Sequence, residues 1–219
     1  MNVFDILGPV MIGPSSSHTA GAARIGLMTR ALLGKTPVKA HIFLHGSFAK
    51  TYKGHGTDKA LVAGILGMQT DDERIRFSLD VAKKEGLEIQ IETGELENTH
   101  PNTAEITLTA ADGEKVSLRG SSIGGGNILI TRVNGMEVAL TGAESSFDRA
   151  SQGCTRDDCC SYGADGRVWG EYLQFPSGAG DQGGVAVMTI ESDSHFVPEL
   201  NEKINRLENI YSSTMLERV

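Results

Sequence analysis

Basic charge, cysteine and long apolar runs are all in short supply in this chain, and each shortage removes a class of function. The 219 residues hold 20 Lys and Arg against 28 Asp and Glu, a net charge of −8 at pH 7. A chain this acidic does not bind nucleic acid or anionic lipid through its overall field. Any anion must be held by a local group of N–H, hydroxyl and basic donors. The three cysteines, Cys154, Cys159 and Cys160, are odd in number and crowded together. They make no disulfide framework, and C-x4-C-C is not a usual iron–sulfur spacing. No run approaches the roughly 18 apolar residues of a transmembrane helix. The N-terminus, MNVFDILGPVMIGPSSSH, has no basic leader region, and Asp5 breaks its apolar stretch. A secretory signal is therefore not expected, and the cytoplasm is the expected compartment.

What is present is the composition of an ordinary globular chain, 39% hydrophobic and 22% charged. The length allows one large domain or two small ones. Helical spacing runs from about Thr19 to Leu33, with Gly34 as a stop and Pro37 beyond it. Val38 to Leu44 alternates as a strand and ends at His45-Gly46. Thr57 to Leu66 and Asp71 to Glu85 read as helices. Then the period changes. Leu87 to Ile91, Ala104 to Leu108, Lys115 to Leu118, Asn127 to Val133 and Met136 to Leu140 read as strands. Hairpin turns at Asp112-Gly113 and Asn134-Gly135 join two pairs of them. Residues 1–141 thus predict an α+β domain, with helices early and an antiparallel sheet late.

Val185 to Ile190 reads as a buried strand, Pro198 to Leu207 as a helix and Ile210 to Leu216 as a closing strand. Strand, helix, strand of this length is half of a small βαββαβ module. The other half falls in 143–180, and there the pattern fails. That stretch has one Leu, one Val, no Ile and no Met, but all three cysteines and the only Trp. Such content cannot cover the buried face of a strand–helix–strand unit.

The run GPSSSHTAGAAR, Gly13 to Arg24, is the strongest chemical signal. Ser15, Ser16 and Ser17, followed by His18 and Thr19, stand just ahead of a helix. Unpaired N–H groups and a partial positive charge at a helix start favour a carboxylate or phosphate. Serine hydroxyls can donate to it as well. His18 alone among these side chains titrates near neutrality and can hold or transfer a proton. Arg24 can add a charge. The plainer reading is a serine N-cap beside a surface histidine.

Two further clusters stand out. HGSFAKTYKGHGTDKA, His45 to Ala60, gathers His45, Ser47, His55 and Asp58 among glycines. It reads as a polar loop lining a cleft or simply facing solvent; its spacing matches no common zinc pattern. GSSIGGGNI, Gly120 to Ile128, is glycine-rich but lies between strands, so it lacks the setting of a dinucleotide fingerprint. A bulge, a backbone anion nest and a tight connection all fit it. NTHPNTA, Asn98 to Ala104, reads as a loop.

IGPSSSHTAGAAR (Ile12 to Arg24), HGSFAKTYKGHGTDKALVAGILG (His45 to Gly67) and GSSIGGGNI together resemble the β chain of the iron–sulfur-dependent L-serine dehydratases. The likeness runs in order through residues 1–141. The stretch from Gly183 to Leu216 is similar to the second half of an ACT domain. The first domain is also similar to the allosteric substrate-binding domain of some D-3-phosphoglycerate dehydrogenases. The resemblance implies two domains, 1–141 of serine dehydratase β type and 142–219 of ACT type. It implies conversion of L-serine to pyruvate and ammonia without pyridoxal phosphate. A [4Fe-4S] cluster with one open iron would act as Lewis acid on the substrate hydroxyl. The cluster ligands would lie on an α chain, with no metal ligand in this one, and the active hetero-oligomer would need both. By the same resemblance the substrate carboxylate would rest near Ser15, Ser16, Ser17 and Thr19. His18 would be an acid/base group or substrate contact, with His55 and Asp58 as weaker contacts. Segment 143–180 departs from the family and suggests a pair of compensating frameshifts. Two other roles stay open: a regulatory module that binds an amino acid or anion, and a chain that only stabilises its partner.

Overall fold

The computed structural model describes residues 10–141, 145–152, 173–174, 185–192, 198–206 and 210–216. The chain divides into two compact units, Met1–Gly142 and Ala143–Arg218.

The first unit opens with a π-helical turn, Ser16–Gly21, that runs on into α1, Ala22–Leu33. Gly34 closes α1 in the left-handed conformation at φ 64°, as its place after the last apolar residue predicts. Strand β1 is Pro37–His45, followed by α2, Gly46–His55, and α3, Thr57–Ile65. A 3-10 turn, Glu73–Phe77, leads into α4, Ser78–Lys84. Five strands then follow: β2 Glu88–Gly94, β3 Thr103–Ala110, β4 Lys115–Gly124, β5 Asn127–Val133 and β6 Met136–Leu140. They join β1 in a six-stranded sheet of order β2-β1-β3-β4-β5-β6.

The mixed α+β class agrees with the pattern in the sequence, but the sheet is not purely antiparallel. β1 pairs parallel with β2 and antiparallel with β3. The three helices between β1 and β2 form the long crossover that a parallel pair requires. The core side of β1 explains its inclusion: Ala40, Ile42 and Leu44 are buried at 2% exposure or less. In register with Ile42 stand Ile91 and Ile106. The other face carries cross-strand ion pairs, Lys39 with Glu88 and Arg119 with Glu105.

Helix α1 packs against α3 through glycine. A Cβ on Gly26 would overlap the Leu61 carbonyl, and one on Gly64 would overlap the Ala23 carbonyl. The two backbones therefore meet directly, and Ile25, Met28, Leu61 and Ile65 fill the core around them. This close crossing holds the start of the first helix in place.

Two helix expectations change. Asp71 to Glu85 is not one helix, because the Asp72 carboxylate accepts the Arg74 N–H and sets up a 3-10 turn first. His45 to Ala60 is not a loop but two short helices separated by Gly56 at φ 70°. The polar composition hides α2 because Phe48 is its only large buried side chain.

In the second unit β7 is Ser145–Gln152, β8 Leu173–Gln174, β9 Val185–Ser192, α5 Pro198–Asn205 and β10 Ile210–Leu216. The sheet order is β10-β7-β9-β8 with every pair antiparallel. Counted within the unit, that is 4-1-3-2. The anomalous stretch 143–180 contributes the backbone of β7 and β8, where the pattern predicted no strand. Its remaining residues, including the three cysteines, lie outside the described residues.

Candidate functional site

The site is built on the first turn of the long helix. Ser15 is its N-cap, with extended backbone at φ −145° and ψ 125°. Its hydroxyl accepts the His18 N–H at 3.2 Å, and its carbonyl accepts the Thr19 N–H at 2.8 Å. This is the capping that the serine run predicts. The N–H groups of Ser16 and Ser17 have no partner within the helix. Both side chains are half-buried on that turn.

His18 stands at the centre of the group. Nδ1 lies 3.4 Å from Oγ of Ser15, and Nε2 lies 3.2 Å from Oγ of Ser47 at the start of α2. Its ring meets Phe48 edge-on at 5.2 Å between centroids and tilts against His55 at 4.7 Å. The ring is half-buried. Burial first, and the neighbouring His55 second, push its pKa below the ordinary 6.5. At neutral pH His18 is therefore an uncharged imidazole, able to accept a proton at one nitrogen and donate from the other.

The other predicted residues separate into two sets. His55 is exposed and belongs to the group through its ring. Asp58 is engaged at the start of α3, where its carboxylate accepts the Lys59 N–H at 2.8 Å. Thr19 is 3% exposed, and its side chain packs on Gly13, where a Cβ would come within 2.5 Å of both Oγ1 and Cγ2. It faces inward because it lies on the core side of the turn. Arg24 donates from Nη1 to the Gly126 carbonyl at 3.0 Å, so its charge is directed to the turn between β4 and β5.

That turn is the glycine-rich motif. β4 runs to Gly124, and Gly124, Gly125 and Gly126 have φ of 109°, 61° and 83°. The pairing of β4 with β5 shifts register twice, so both the bulge and the tight connection are present. The motif packs on the π turn. Ser122 is fully buried against Gly21, where a Cβ would overlap its Oγ.

Ser47 belongs to the polar cluster His45 to Ala60 that stands out in the sequence, but its pairing with His18 does not show there. It was one polar residue among many, and only the fold of α2 brings it to His18 across 29 positions. The dipeptide Gly46-Ser47 at a strand end was the available signal. Among the described residues, no three His, Cys, Asp or Glu side chains are grouped to hold a metal ion. The site consists of hydroxyls, backbone N–H groups and imidazoles. They suit an anion.

Residues 2–84 match the family described as Serine dehydratase beta chain. A probable L-serine dehydratase, beta chain, of Bacillus subtilis is 41% identical, over 98% of this chain and 97% of its own length. The L-serine dehydratase beta chain of Peptoniphilus asaccharolyticus is 36% identical, over 98% of this chain and 86% of its own length. L-serine dehydratase 2 of Escherichia coli is 33% identical over 59% of this chain, which is 33% of that protein. With near full-length matches at this identity, the chain belongs to the L-serine dehydratase beta chain family.

Proposed function

We propose that this chain is the β subunit of an L-serine dehydratase and supplies the carboxylate and proton-handling half of its active site. The observation that carries this reading is His18, held at both ring nitrogens by Ser15 and Ser47 beside an open helix start. The N–H groups of Ser16 and Ser17, with the hydroxyls of Ser15, Ser16 and Ser17, receive the carboxylate of L-serine. His18, uncharged at neutral pH, holds or moves a proton on the bound substrate. His55 forms the exposed rim of the same group. Loss of the Cα proton and of the β-hydroxyl gives an enamine, which hydrolyses to pyruvate and ammonia.

A [4Fe-4S] cluster on an α chain supplies the Lewis acid, and no pyridoxal phosphate takes part. The Escherichia coli relative supports a second component, because the matched stretch is only a third of that longer protein. This chain then works in a cytoplasmic hetero-oligomer, without nucleic acid or membrane. No described helix is long and apolar enough to cross a membrane. Residues 1–141 form the serine dehydratase β domain. Residues 142–219 form an ACT-type domain, a reading that the 4-1-3-2 strand order supports.

The test is turnover of L-serine by this chain assembled anaerobically with its α partner. Activity that requires both chains and fades in oxygen is the expected result. Its absence in a properly assembled complex overturns the proposal. His18→Ala separates a catalytic subunit, which loses turnover, from a regulatory module, which changes only its response to an effector.

A further inference from the structure

We infer, on the site reading given above, that His45 is a positioning residue for His18 and acts through the segment between β2 and β3. His45 ends β1 and is the N-cap residue of α2, yet its side chain makes no capping bond to that helix. It is 6% exposed. A buried imidazole needs partners for its polar atoms. Its Nδ1 accepts the Leu96 N–H at 2.9 Å. The same atom lies 3.3 Å from Oε2 of Glu95. One nitrogen cannot accept from an amide and donate to a carboxylate at once. With the amide bonded, Nδ1 bears no proton, and the neutral ring carries its hydrogen on Nε2. The Glu95 carboxylate is 73% exposed and contributes little. Beyond the backbone pairing of Gly94 with His45, the Leu96 bond carries the tie from the end of β1 into this segment.

From there the segment reaches two walls of the site. The Pro101 carbonyl accepts the N–H of Ser47 at 2.7 Å and of Phe48 at 3.3 Å, the first donors of α2. The Asn102 carbonyl accepts the Ser122 N–H at 2.9 Å. At the far end Oγ1 of Thr103 bonds the His100 carbonyl at 2.6 Å and Oγ of Ser121 at 2.7 Å. Gly46 permits the approach: its φ is 59°, and a Cβ there would stand 2.6 Å from the Pro101 oxygen. The segment is thus held by His45 at one end and by Thr103 at the other. Between them it caps the helix that presents Ser47 to Nε2 of His18. Without the acceptor on His45, the cap carbonyl loses its near anchor and Ser47 loses its register with His18.

The test compares His45→Asn, which keeps an acceptor oxygen where Nδ1 stands, with His45→Phe, which keeps a ring and removes the acceptor. Amide exchange at Ser47 and Phe48 and the NMR titration of the His18 ring are measured on the full chain. Turnover is measured on the complex with the α partner. His45→Phe is expected to speed exchange at Ser47 and Phe48 about tenfold, the effect of one lost buried hydrogen bond. It should also move the His18 titration and lower kcat with little change in KM. His45→Asn should restore all three. Unchanged exchange and an unchanged His18 titration in His45→Phe overturn the inference, as does a folded His45→Asn that restores neither. If His45→Phe does not fold, His45→Gln replaces it, since its amide reaches toward the Nε2 side and leaves the Nδ1 position empty. Altered exchange and titration with unchanged kcat and KM uphold the positioning role and overturn the catalytic reading of His18.

Discussion

Nε2 of His18 and Oγ of Ser47 lie 3.2 Å apart, joining the first turn of the long helix to the first turn of α2. Ser15 holds His18 locally, but nothing near either residue in sequence brings the two together. The meeting depends on α2 being a helix and on its start facing the serine run. If this pair handles the proton, the two side chains should act as a unit. His18→Ala is expected to lower kcat about a hundredfold or more, the usual worth of a positioned acid/base group. Ser47→Ala should cost about tenfold, the worth of one hydrogen bond. The double variant should be little worse than His18→Ala alone. Steady-state kinetics on the complex with the α partner checks all three, with thermal unfolding as the control for folding. Fully additive losses would show that the two side chains act independently.

The serine run, the N-cap and the helix that follows were legible in the sequence because they are local. A side-chain oxygen ahead of an apolar helical pattern has few other uses. The strands were legible by alternation and the hairpins by Asp-Gly and Asn-Gly. Helix α2 was not, because a ten-residue polar helix anchored by Phe48 alone shows no period. Its cap is also invisible in its own sequence, since the Pro101 carbonyl provides it from far along the chain. The parallel placement of β1 was hidden for a related reason. Strand pairing is a choice among distant partners, and alternation says nothing about direction.

The lowered pKa of His18 has a defined sign for stability. Burial, and then His55, disfavour the imidazolium in the folded chain. Above the ordinary value of 6.5 the ring is neutral in both folded and unfolded states, and it adds no pH dependence. As pH falls through 6.5, the unfolded chain takes up the proton first, and stability declines until the folded ring also protonates. Urea unfolding from pH 7.5 down to pH 5 should show this decline. His18→Gln should flatten that part of the curve. His55→Asn removes the second cause, so the NMR titration of His18 should move upward toward 6.5. A downward movement would contradict the assigned repulsion.

The contact between Gly21 and Ser122 ties the glycine-rich motif to the helix start. A Cβ on Gly21 would overlap both Oγ and Cβ of Ser122, and both residues are buried. Gly21→Ala is expected to destabilise the first unit by about 1–3 kcal/mol, the usual cost of overpacking. It should also lower kcat/KM, because the π turn carrying His18 must shift. Ser122→Gly clears both overlapping atoms. The double variant should therefore recover most of the lost stability, measured by denaturant unfolding. Failure to recover would mean that the Ser122 side chain is not what excludes a Cβ here, since Gly21 has ordinary helical backbone at φ −61° and ψ −40°.

The stretch 143–180 makes a prediction that needs only nucleic acid. It holds one Leu and one Val, yet it supplies β7 of the second sheet, between β9 and β10. A strand paired on both edges ordinarily brings apolar residues to at least one face. If two compensating frameshifts bound this stretch, one alternative reading frame between about residues 143 and 180 should encode a strand–helix–strand pattern. That pattern should show apolar alternation followed by an Asp- or Gly-containing turn into an amphipathic helix. If neither alternative frame does so, the amino-acid sequence stands as written. The two outcomes also differ in the protein. A chain with the restored frame should unfold with a second unit more stable than the present one, by calorimetry, and the first unit should melt at the same temperature in both. A first unit that shifts along with the second would instead show that the two fold as a single cooperative body.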